Sequence, residues 1–107
     1  MFSSTKKTKN FIYSSRIILR AVSDKLQCHS KFQGFANLLP QHENVELKAA
    51  MYVTWCEELM IHINRNWVLN DLNYPINCIN CINAVLQCYA KGQVPNADKW
   101  IDLLSKK

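Results

Sequence analysis

The stretch from Val45 to Trp67, VELKAAMYVTWCEELMIHINRNW, decides the fold class. Advanced at about 100° per residue, Val45, Ala49, Tyr52, Val53, Cys56, Leu59, Met60, Ile63 and Trp67 fall on one face. Steps of three and four are the helical period, so the stretch predicts a core-facing helix. A narrower apolar line, Met51, Trp55, His62 and Leu69, runs beside the first and is interrupted by Glu58, while Thr54, Glu57, Asn64 and Arg65 mark the wet side. So wide an apolar arc must meet more than one neighbour. The series Val45, Ala49, Tyr52, Cys56, Leu59, Ile63 also satisfies heptad spacing, but only over about three heptads, which favours packing inside a bundle over a free-standing coiled coil.

Outward from this helix, the pattern continues in both directions. Phe11, Ser15, Ile18, Leu19, Val22 and Leu26 predict a first helix from Thr5 or Lys6 to Cys28, with residues 1–9 expected to fray or project because they carry no apolar stripe. Ser30 is positioned to cap a short helix over Lys31–Leu39, weakened by Gly34, and Leu39 before Pro40 marks a break. The central helix can begin anywhere from Pro40 to Asn44 and fades near Leu69 to Asn70, where Asn70-Asp-Leu-Asn73 reverses the chain. Pro75 opens the next helix, whose buried face is Ile79, Ile82, Val85, Leu86 and Tyr89, and Gly92 closes it as a left-handed cap after Lys91. Trp100, Ile101, Leu103 and Leu104 predict a last helix over Asn96–Ser105.

The expected architecture is therefore all-α: a single domain, 1–107, in a mostly antiparallel bundle of four main helices plus one short helix. Two glycines and three prolines, all at helix ends or breaks, and 49% hydrophobic against 20% charged residues agree with a globular helical chain. At this length a core needs neither disulfide nor metal.

Five cysteines, an odd number, with no apolar leader segment in MFSSTKKTKNF read as reduced thiols in a cytoplasmic setting. Residues 1–23 are Ser-rich, basic and free of acid, as transit peptides are, but the same residues make a good core helix. No transmembrane span is expected, because the longest uncharged run, Leu72 to Ala90, holds four asparagines, a glutamine and a proline.

Four features carry chemistry. Cys78-Ile-Asn-Cys81, with Cys88 on the same flank of its helix and Cys56 opposite, has metal or redox spacing; a second Cys-x-x-Cys is missing, and packing is the favoured reading. Glu58 and His62 stand four apart, an acid beside an imidazole, yet no metal or di-iron spacing and no nucleophile accompanies them. No catalytic motif is found and no cofactor is implied. The net charge of +5 resides in the first 25 residues, where Lys6, Lys7, Lys9, Arg16 and Arg20 could meet nucleic acid or an anionic membrane surface, although a solvated basic end is the favoured reading because they read as too spread around the helix for one continuous stripe, with Tyr13 the lone outer aromatic. The fourth feature is the second line on the central helix, Met51, Trp55, His62 and Leu69, which the first or the last helix would ordinarily cover; left uncovered, it is an aromatic and methionine patch of interface composition with His62 able to lend pH sensitivity. It points to a small non-catalytic protein-interaction domain, self-associating through helix 45–69 or holding a protein partner. The alternatives are a nucleic-acid binder using the basic N-terminal helix and a Cys/His metal or redox protein.

Overall fold

The computed structural model describes residues 2–38, 44–70 and 75–106, with side chains described as far as Asn66 in the long helix. Helix α1 spans Thr5–Lys25; a 3-10 turn, His29–Phe32, runs into the single turn α2, Gln33–Ala36. Then come α3, Val45–Asn70, α4, Ile76–Lys91, and α5, Ala97–Leu104. No strand occurs among the described residues. The 26 residues of α3 rise about 39 Å and set the long axis of a body 43 × 25 × 19 Å.

Helix α1 is the hub, touching α3, α4, α5 and the 3-10 turn. Its inward face is fully buried at Phe11, Ile12, Ile18, Leu19 and Val22, with Thr8, Ser15 and Ser23 also at 0% exposure. Contacts at the ends give the directions. Thr8 meets Glu46 near the starts of α1 and α3, and Phe32, beyond the end of α1, meets His62, so α1 and α3 run parallel. Tyr89, late in α4, packs on Phe2 and Phe11, so α4 runs antiparallel to both. Asn77 donates to the Leu103 carbonyl at 3.3 Å, which sets α4 and α5 antiparallel. Within the connection, residues 32–38 lead back along the body, from Phe32 beside His62 to Leu38 beside Tyr52, as a parallel α1–α3 pair requires.

The helix ends show which local signals act. The Ser4 hydroxyl accepts from the Lys7 N–H at 3.1 Å and caps α1, Thr8 is buried, and the Phe2 ring packs tilted against Phe11 with centroids 5.0 Å apart. The expected fraying of residues 1–9 is thus corrected for residues 2–9, residue 1 lying outside those described: a serine cap and an aromatic contact hold the segment, neither of which depends on an apolar stripe. Helix α1 stops three residues short of the expected Cys28. Gln27 takes φ 58°, and the Cys28 N–H reaches the Ser23 carbonyl at 2.9 Å, closing the helix with a left-handed residue that is not glycine. Gly92, at φ 67°, ends α4 in the same way, as its position implied, with the Gln93 N–H on the Cys88 carbonyl at 2.8 Å. Asn96 caps α5 by accepting from the Lys99 N–H at 3.2 Å. The predicted helix over Lys31–Leu39 is instead the 3-10 turn plus α2. The expected break at Pro40 and the turn through Asn73 lie outside the described residues.

Candidate interaction surface

The surface in question is built where the 29–38 segment crosses α3. Two side chains pin that segment by its carbonyls. Arg16 of α1 donates from Nε to the Ala36 carbonyl at 2.7 Å, and the Tyr52 hydroxyl of α3 donates to the Leu38 carbonyl. Held so, Phe35 lies flat on Trp55, with ring planes 11° apart and centroids at 6.0 Å, while Tyr52 meets the indole edge-on at 5.7 Å. Phe32 is buried and meets the His62 ring edge-on at 6.1 Å.

Trp55 is consequently 0% exposed, so of the two readings of this line, covered by a neighbour or left exposed as a patch, the indole follows the first. Periodicity placed the indole on the flank of α3, and the covering element is neither the first nor the last helix but the short segment with its two phenylalanines. Met51 and His62, on the same flank, stay partly exposed; the side chain of Leu69 lies outside those described.

Beside the covered indole is a groove of about 320 Å³ lined by Lys31, Phe32, Gly34, Phe35, Leu38 and Met51. A Cβ on Gly34 would meet nothing within 4 Å, so packing does not demand glycine there. Gly34→Ala should raise stability by up to about 1 kcal/mol, because a helical glycine only adds disorder to the unfolded chain; a lowered urea midpoint would show that α2 is held by something other than its helical geometry.

Around the helix from Met51, α3 presents two large aliphatic side chains that the sequence reading did not single out. Leu47 is 59% exposed and Ile61 43%, two heptads apart with Thr54 midway. Their separation of two heptads was the available signal, masked by Thr54 between them and by Glu57, Glu58 and Arg65 around it. Exposed Thr54, Glu58 and Arg65 lie with them on the same side of α3, and of the residues lining the groove α3 contributes Met51.

The other candidate residues are dispersed or occupied. Cys56, Cys78 and Cys81 are buried, Cys88 half-buried, and the Cys81 thiol donates to the Trp100 carbonyl at 3.7 Å. Burial pushes all these thiols up, Cys81 to about 11 and Cys56 further, which opposes the thiolate that metal binding or redox exchange requires. Among the described residues no three His, Cys, Asp or Glu side chains converge as a metal site. Glu58 is exposed, and the His62 ring faces Asn66, whose amide nitrogen lies 3.2 Å from Nδ1 and donates to the His62 carbonyl at 2.9 Å. Burial and then the Lys31 charge hold His62 below its ordinary value, so a switch centred on neutrality moves to the acid side.

No protein-family model, curated protein or solved structure matches this chain. The site therefore has to be read from its own chemistry. Among the described residues, no helix is long and apolar enough to cross a membrane.

Of the basic residues, Lys6 and Arg20 are exposed, while Lys7, Lys9 and Arg16 are half-buried, Arg16 being committed to Ala36. The reading that they are too spread for a stripe needs correction. Lys6, Lys9, Arg16 and Arg20 recur at intervals of three, seven and four, which keep them within about 80° on one flank of a helix; Lys7 alone points away, by about 100° or more from each.

Proposed function

We propose that the chain is a small non-catalytic protein-interaction domain that self-associates through α3. The observation that carries this reading is the pair Leu47 and Ile61, two large aliphatic side chains left exposed on one face of the longest helix, with the Met51 groove alongside. An isologous antiparallel crossing about Thr54 sets Leu47 of one copy against Ile61 of the other, burying both twice over in one symmetric contact. Half-exposed Met51 and Phe35 supply adaptable and aromatic surface of the kind enriched at interface cores. Five free thiols support a reducing, cytoplasmic setting for such a domain.

Sedimentation velocity over a concentration series tests this. The natural chain should pass from monomer to dimer, and Ile61→Glu should weaken the dimer about 30-fold or more, because the carboxylate would be buried in both halves of the contact. Since Ile61 is 43% exposed in the single chain, the variant keeps its fold. A monomer at every concentration, or a dimer indifferent to Ile61→Glu, would overturn self-association through α3.

A further inference from the structure

Helix α1 carries a second surface, on the side away from the core. Lys6, Asn10, Tyr13, Ile17 and Arg20 are exposed along it, Tyr13 at 52% and Ile17 at 50%, with Lys9 and Arg16 half-buried on one flank. From Lys6 to Arg20 this strip is about 21 Å long. Asp24 is the single acid of α1, and it lies beyond the strip toward the helix end. The charge is concentrated here: the first 25 residues hold six basic side chains against one acid, and the rest of the chain holds seven of each. Glu46 of α3 accepts a hydrogen bond from the buried Thr8, on the inward side of α1.

We infer that this face of α1 docks on an anionic lipid surface. Charge complementarity defines the occupant as a polyanion, and the uncharged residues between the cations decide which one. Ile17 has no hydrogen-bonding group, and a phosphate backbone offers it nothing, whereas the boundary between headgroups and acyl chains takes it directly. Tyr13 belongs at the same depth, its ring in the boundary and its hydroxyl toward water. A lone aromatic is thin equipment for stacking successive bases. The cations beside them have stems long enough to reach lipid phosphates while Ile17 and Tyr13 sink. Such a contact is peripheral and reversible, with α1 lying flat and its opposite face still packed in the core. It is independent of α3, whose exposed aliphatics belong to a different helix.

Sedimentation of the intact chain with vesicles tests the inference. Vesicles of phosphatidylcholine mixed with phosphatidylserine should carry the protein down, vesicles of phosphatidylcholine alone should not, and added salt should release it. Each cation near the surface changes partitioning about fivefold, so a Lys6→Gln, Lys9→Gln, Arg20→Gln triple variant should bind about 100-fold more weakly. Ile17→Ser, which leaves the charge unchanged, should weaken binding severalfold. Circular dichroism of each variant should match the natural chain, since all four side chains lie outside the buried core. Ile61→Glu should bind vesicles normally, which separates this surface from the one on α3. Absence of binding to phosphatidylserine vesicles overturns the inference. So does retention on a single-stranded oligonucleotide that Ile17→Ser leaves unchanged while vesicles are ignored, which would assign the strip to nucleic acid.

Discussion

Trp55→Glu should abolish the fold. The indole is 0% exposed, capped by Phe35 on one face and met by Tyr52 at its edge. Truncating a buried tryptophan typically costs about 3–5 kcal/mol, and an unpaired buried carboxylate adds to that. A domain of this size holds only about 5–15 kcal/mol in total. Urea unfolding followed by circular dichroism should therefore show no cooperative transition for Trp55→Glu. Trp55→Phe should retain one: its ring can still lie against Phe35, and the indole N–H it removes has no hydrogen-bond partner among the described residues. A Trp55→Glu variant that unfolds cooperatively with nearly natural stability would mean that Phe35 does not cover the indole. The contrast with Ile61→Glu is diagnostic, because one glutamate enters the core and the other the surface of the same helix.

A second large effect is expected in alkali. Burial raises the thiols of Cys56 and Cys81, both at 0% exposure, and raises Cys28, Cys78 and Cys88 as well. Below the ordinary thiol pKa of about 8.5 the thiols are largely protonated in folded and unfolded chains alike, so they impose little pH dependence. Above that, the unfolded chain releases protons that the folded chain retains, and stability falls by about 1.4 kcal/mol per pH unit for each such thiol. For Cys81 the loss is complete near pH 11, where the folded thiol also ionises; Tyr52, raised to about 12 chiefly by burial, extends the decline. Together Cys56 and Cys81 give a slope on the order of 3 kcal/mol per pH unit, enough to unfold a marginal domain within a few units. Urea midpoints should hold steady from neutrality to about pH 8.5 and then drop steeply. A midpoint unchanged at pH 10.5 would show that these thiols are not sequestered from water.

The elements that periodicity could specify are the ones with a strong apolar face and a backbone-demanding terminator. The inward faces of α1, α3 and α4 were legible, as were Gly92 at the end of α4 and Asn96 at the start of α5. The end of α1 was not, because Gln27 adopts a left-handed conformation without the residue type that advertises it. Nor was the cover on Trp55. A face computed from one helix says that a side chain needs a neighbour, not which segment arrives, and here arrival depends on Arg16 and Tyr52 catching two carbonyls of a piece too short to show a period. For the exposed surfaces the difficulty was different. Leu47 and Ile61 stand among charged residues, so averaging along the sequence hid a spacing that solvent exposure makes plain. On α1 the cations were counted as scattered when four of the five share a flank.

The two anchors of the 29–38 segment also bear on the order in which the chain can assemble. Arg16 to Ala36 closes a loop of 20 residues and Tyr52 to Leu38 one of 14, whereas Thr8 to Glu46 spans 38. Closure entropy grows with loop length, so the shorter bonds are reached at lower entropic cost, one from each side of the segment. By this ordering Phe35 is expected over Trp55 before the ends of α1 and α3 are drawn together, and substitutions at Phe35 should slow folding more, relative to their cost in stability, than Thr8→Ala does. The parallel pair would then be aligned by a clip formed earlier, with the largest side chain of the core shielded while the bundle is still open.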